Sequence, residues 1–190
     1  MTTSAGTIDV ATPAGVRAAF TTREGGVSRD PFAGLNLGVS TGDDPRDVAA
    51  NRRRLADTLG VAPGRVVMTN QVHGTRVRHV EGPDDPERFG AARIGWAEGD
   101  GLATSAVDTP LMVLGADCLP VLMWRTDGSA VAAVHAGWRG LIDGVVQAGV
   151  RALGGAAGAA IALALTSAPA HARNAAADAA AEGGEAATTS

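Results

Sequence analysis

The sequence has no lysine: all 16 of its basic residues are arginine. A Schiff-base lysine, a P-loop lysine and a lysine general base are therefore excluded. Tyrosine is absent too, which removes a phenolic acid or base. Three Trp and three Phe are too few to build stacking platforms for single-stranded bases. Positive charge is sparse: the net charge is -4 and no basic run is longer than Arg52-Arg53-Arg54, so nucleic acid is not an expected partner. The single cysteine, Cys118, cannot form an internal disulfide, and the N-terminus lacks the charged and apolar regions of a signal peptide. A cytoplasmic protein is expected. The groups left for chemistry are Cys118, four histidines (His73, His79, His135, His171), the carboxylates and the arginines.

What is present fits a globular domain, with 45% hydrophobic and 19% charged residues over 190 positions. Two β-type runs between Ile8 and Phe20 flank Pro13-Ala14-Gly15 and predict a hairpin. Asp43-Asp44-Pro45 predicts a capped helix from Pro45 to Leu59, with Val48, Leu55 and Leu59 on one face and a stop at Gly60. Short apolar runs at Val66 to Thr69, Arg76 to Val80, Leu111 to Leu114, Val121 to Trp124 and Val131 to Val134 predict strands. Glu81 to Glu98 reads as a loop, and Leu141 to Leu153 as a second helix. Strands and helices mix without strict alternation, which points to an α+β fold.

From Arg151 onward the composition changes, with alanine at 18 of 40 positions and no charge between Ala152 and Pro169. That uncharged stretch approaches membrane-span length, but it is mostly Ala and Gly and only weakly apolar, so no membrane association is expected. Residues 154 to 190 are expected to form a helical or disordered low-complexity tail, distinct from the domain at 1 to 153.

His73, Cys118 and His135 occupy the same kind of position, each just after an apolar run. Side chains at strand ends converge at one rim of a sheet, where loops leave room for substrate. Two imidazoles and a thiolate suit zinc, and three protein ligands leave a fourth position for water or substrate. The spacings of 45 and 17 residues are not a local metal signature. A lone cysteine beside apolar residues is most often an inert thiol. A rival chemistry makes Cys118 a nucleophile and His135 its base, oriented by His73 or Asp117. Arg23, before Glu24-Gly25-Gly26, and Arg139, before the second helix, are candidate phosphate or carboxylate binders, although either could pair with Glu24 or Asp143. Asp100-Gly101 reads first as a turn, although the Asp100 carboxylate could reach the same rim.

Eight motifs run in order along the chain: Arg23-Glu24-Gly25-Gly26-Val27-Ser28, Leu35-Asn36-Leu37-Gly38, Gly42-Asp43-Asp44, Asn51-Arg52, Gln71-Val72-His73-Gly74, Gly99-Asp100-Gly101, Ala116-Asp117-Cys118-Leu119-Pro120 and His135-Ala136-Gly137-Trp138-Arg139-Gly140. In this the chain resembles the polyphenol oxidase, or laccase-domain (YfiH-like), family of purine nucleoside phosphorylases, which includes peptidoglycan editing factors. The resemblance covers roughly residues 7 to 153. It implies a four-layer α/β/β/α fold with mixed sheets and a catalytic zinc site of His73, Cys118 and His135. Copper, the family's older attribution, fits less well, since four histidines cannot supply a multicopper cluster.

The activity implied is phosphorolysis of adenosine, inosine and methylthioadenosine, with adenosine deamination. The small-molecule partners are then a purine nucleoside and phosphate, bound with help from Arg23, Asn36 and Arg139, while Asp117 shuttles a proton. Two other outcomes fit the resemblance: a hydrolase that removes a wrongly incorporated amino acid from a nucleotide-linked muramyl precursor, or an inactive truncated relative. Family members continue past the second helix through a Gly-Pro-rich segment with a further Cys and Tyr. Here an alanine-rich stretch replaces it and looks like a reading-frame change or a degenerate end, so the fold is expected to be incomplete at the C-terminus.

Overall fold

A computed structural model describes residues 5–82, 89, 96–155 and 157–161. Most of the expected loop from Glu81 to Glu98, and the tail beyond residue 161, lie outside the described residues. The chain opens with the expected hairpin: β1 (Thr7–Val10) pairs antiparallel with β2 (Ala18–Thr21), Ile8 opposite Phe20. Helix α1 (Pro45–Leu59) also matches its signals. The Asp44 carboxylate accepts the Arg46 N–H, proline opens the first turn, and Gly60 at φ 66° donates its N–H to the carbonyls of Ala56 and Asp57.

Five strands form the main sheet: β3 (Val77–His79), β4 (Gly101–Thr104), β5 (Leu119–Arg125), β6 (Val131–Ala136) and β7 (Ala157–Ile161). Their order is β3-β4-β6-β5-β7, with β3 and β4 parallel and the other neighbours antiparallel, so the sheet is mixed as expected. Helices α2 (Trp138–Asp143) and α3 (Val145–Leu153) follow β6.

Four features differ from the sequence expectation, each for a local reason. Strand β4 begins where a turn was expected; Gly101 lies between Val77 and Val134, and a Cβ there would come within 2.9 Å of Val77 Cγ2 and 3.2 Å of Val134 Cγ2. The second helix starts at Trp138 instead of Leu141, and it breaks at Gly144, whose φ of 90° is left-handed. The segments at Val66 to Thr69 and Leu111 to Leu114 pair only through the parallel bridge between Val67 and Leu111. Beyond it the Gln71 side chain replaces a ladder: its amide nitrogen donates to the Leu114 carbonyl at 2.6 Å and its oxygen accepts the Leu114 N–H at 2.8 Å. Finally, residues 157–161, expected to be helical or disordered, form β7 along β5. Small residues suit that place, because a Cβ on Gly158 would come within 2.6 Å of Trp124 Nε1.

Packing gives the layers. Alternate residues of a strand face opposite sides. Val121, Met123, Ala132, Val134 and Ala136 meet Val145 and Leu153 of α3 on one face of the sheet. On the other face Leu102 packs with Val67, Val80 and Leu111. Val66 and Met68, flanking Val67, point away from the sheet and join Leu35, Leu37 and Leu55 of α1. The order is therefore α3, sheet, the 66–69 and 111–114 segments, then α1, an α/β/β/α arrangement. Among the described residues no helix is long and apolar enough to cross a membrane.

Candidate metal centre

Three separate elements deliver the candidate ligands. His135 is the fifth residue of β6; Ala132, Val134 and Ala136 face α3, so His135 points to the opposite side. Cys118 immediately precedes β5, next to β6 in the sheet, where Leu119 pairs with Ala136. His73 lies in the loop that the Gln71 amide clamps to Leu114, so the same clamp ties the His73 loop to the segment that leads into Cys118.

The ligand atoms of His73, Cys118 and His135 lie within 4.8 Å of one another. Cys118 Sγ is 3.7 Å from His73 Nε2, and the two imidazoles stand edge to face with centroids 4.9 Å apart. His135 is buried, Cys118 half-buried and His73 exposed, so the cluster opens to solvent on one side. Gly137 forms part of its wall: a Cβ there would come within 2.6 Å of His73 Cδ2 and 3.2 Å of Cys118 Sγ. The donor set fits a cation that accepts both imidazole and thiolate, with three protein ligands and an open side.

Asp100, expected first as a turn residue with a carboxylate able to reach the rim, does reach it. Its carboxylate is fully buried and lies 2.8 Å from His135 Nδ1. It also accepts the N–H groups of Val72, His73 and Gly74 at 3.2, 2.8 and 2.7 Å. The rival catalytic chemistry expected His73 or Asp117 to orient His135; in the structure that place is taken by Asp100. Burial first, and then the charges of Asp117 and Asp100, push the Cys118 thiol above its ordinary range. A cysteine nucleophile needs the opposite shift, whereas a bound cation itself favours the thiolate. Three converging ligand atoms with one open side are the geometry that a bound metal needs.

The remaining site candidates are spread more widely. Asp117 is exposed beside Cys118. Arg139 is exposed in the first turn of α2, its guanidinium 5.2 Å from the centre of the Trp138 ring. Arg23 turns its Nε and Nη2 onto the Ala33 carbonyl at 3.2 and 2.6 Å, and does not pair with Glu24 through them. The Asn36 amide donates to Thr41 Oγ1 and Asp43 Oδ2 at 2.9 and 2.8 Å. The Asn51-Arg52 motif serves these loops. Asn51 is fully buried; it accepts the Val27 N–H and donates to Ser28 Oγ and to the carbonyls of Gly34 and Asn36. Arg52 donates to the carbonyls of Leu37 and Phe89, and burial lowers its pKa to about 10.

The chain is similar to known proteins of one family. The model of the family described as "Multi-copper polyphenol oxidoreductase laccase" matches residues 17–175. A purine nucleoside phosphorylase of Corynebacterium glutamicum is 46% identical over 132 residues, covering 69% of this chain and 51% of its own length. A purine nucleoside phosphorylase of Pseudomonas aeruginosa is 47% identical over 148 residues, covering 78% of this chain and 55% of its own. The chain therefore spans about half the length of the curated relatives it matches. Among solved structures, YlmD from Geobacillus stearothermophilus superposes with a TM-score of 0.71 at 36% identity, covering 78% of this chain and 58% of that one. YfiH from Bacillus licheniformis gives 0.67 at 34% identity, covering 76% and 57%.

Proposed function

The chain belongs to the polyphenol oxidoreductase laccase family, and from that membership we propose that it is a zinc-dependent purine nucleoside phosphorylase. Its substrates are adenosine, inosine and methylthioadenosine with phosphate, it also deaminates adenosine, and it works in the cytoplasm. The names of the relatives support phosphorolysis. The observation that carries the reading is the gathering of His73, Cys118 and His135 within 4.8 Å around a side open to solvent. Those three residues would hold the zinc, which supplies Lewis-acid polarisation and an acidified water when bound.

The chain's own groups do the rest. Arg139 offers an exposed guanidinium two residues beyond the Gly137 wall, suited to phosphate. Arg23 and Asn36 would assist in binding phosphate and nucleoside, from loops fixed by their bonds to Ala33, Thr41 and Asp43. Phosphate oxygen attacks the ribose anomeric carbon as the bond to the purine nitrogen breaks, and the departing base takes a proton. In deamination a water oxygen replaces the amine on the purine ring and ammonia leaves, with Asp117, exposed beside Cys118, moving the proton.

Incubating the purified protein with adenosine, with and without phosphate, tests this directly. Phosphate-dependent release of adenine is expected, together with inosine from the second activity, and both should be lost in His73→Ala. Base release that ignores phosphate, or that survives unchanged in the variant, contradicts the proposal.

A further inference from the structure

Asp100 is at 0% exposure, yet no residue near it in sequence accounts for its burial. Its four carboxylate partners lie 26 to 35 positions away: the backbone N–H groups of Val72, His73 and Gly74, and His135 Nδ1. Its own backbone carbonyl accepts the His135 N–H at 2.7 Å, so backbone and side chain both grip His135. Three successive N–H groups converging on one carboxylate form an anion-holding concavity. Here the anion is built into the chain. His73, in the middle of those three, has φ 64°, a left-handed conformation that a non-glycine residue holds only when its surroundings fix it.

We propose that Asp100 is the positioning residue of this centre, presetting two of its three ligands before any ion arrives. The carboxylate already serves as acceptor to three backbone N–H groups, and as acceptor to His135 Nδ1 as well it places the ring proton on Nδ1 and leaves Nε2 as the lone-pair donor. The other carboxylate contacts hold the 72–74 loop in the conformation that aims His73 at Cys118. A carboxylate that only stabilised the fold would leave zinc affinity unchanged in a variant that still folds.

The inference rests on the metal reading of the three ligands, and its test uses zinc alone with no nucleoside. In metal-free protein labelled with 15N-histidine, NMR is expected to show His135 as the Nδ1–H tautomer. In Asp100→Asn, whose amide donates as well as accepts, the Nε2–H form should gain population. Zinc affinity, measured by competition with a chromophoric chelator, should fall roughly 10- to 100-fold. An Nε2–H tautomer in the metal-free wild type, or wild-type zinc affinity in Asp100→Asn, overturns the assignment. Should that variant not fold, Asp100→Glu, which keeps the acceptor and shifts its position, is measured in its place, and wild-type zinc affinity there overturns the assignment. A protein whose zinc affinity depends on Asp100 but which releases no purine loses the phosphorylase reading and keeps this one.

Discussion

Gly137 shows how much of the site is set by a single missing carbon. It follows Ala136 at the end of β6, and a Cβ on it would overlap the His73 ring and crowd the Cys118 sulfur. The atoms in the way are side chains of two candidate ligands, so Gly137→Ala should leave the fold intact and displace the ligands. Zinc affinity is expected to fall roughly tenfold or more, with thermal unfolding of the metal-free protein little changed; equal affinity in the variant would mean that the ligands have room to spare. His73, Cys118 and His135 were legible in the sequence because few reactive side chains compete with them and each follows an apolar run. The role of Asp100 was not. It sits between two glycines, the local signature of a turn, while the contacts that define its role come from residues 26 to 35 positions away. Local chemistry cannot show a partner set that only the folded sheet assembles.

At the scale of elements, the parts with their own start and stop signals were legible and the parts defined by neighbours were not. The β1–β2 hairpin and α1 carry their turn, cap and stop within the segment. Strand β4 is four residues whose alternation is hidden by Gly101, and β7 is an alanine-glycine run that forms a strand because β5 lies beside it. The break between α2 and α3 was hidden differently: the apolar spacing from Leu141 to Leu153 runs across Gly144 without a gap. The left-handed φ of 90° at Gly144 gives a direct check. Gly144→Ala should cost about 1–2 kcal/mol in urea unfolding, the penalty of a Cβ in that conformation. Gly64, with open space around its missing Cβ and no left-handed φ, is the control, and Gly64→Ala should be close to neutral. Equal effects at the two positions would mean that the break is not held by backbone conformation.

Over the whole molecule, the two ends of the α/β/β/α stack have different duties. Helix α3 and the face of the sheet it covers supply an apolar foundation. The opposite face and the loops beyond it carry His73, Cys118, His135 and Asp100, with Asn51 and Arg52 of α1 holding the 27–37 loops from the far layer. The motifs fall into two hydrogen-bonded groups: Ser28, Asn36, Asp43, Asn51 and Arg52 hold the loops near α1, and Asp100 ties His73 to His135. The central claim is that the three ligands form one metal centre. Its most direct test is metal content after equilibration with zinc and removal of unbound ion. One zinc per chain is predicted for the wild type, and almost none for the His73→Ala, Cys118→Ala double variant. Wild-type protein without zinc, or a double variant that retains it, would contradict the account.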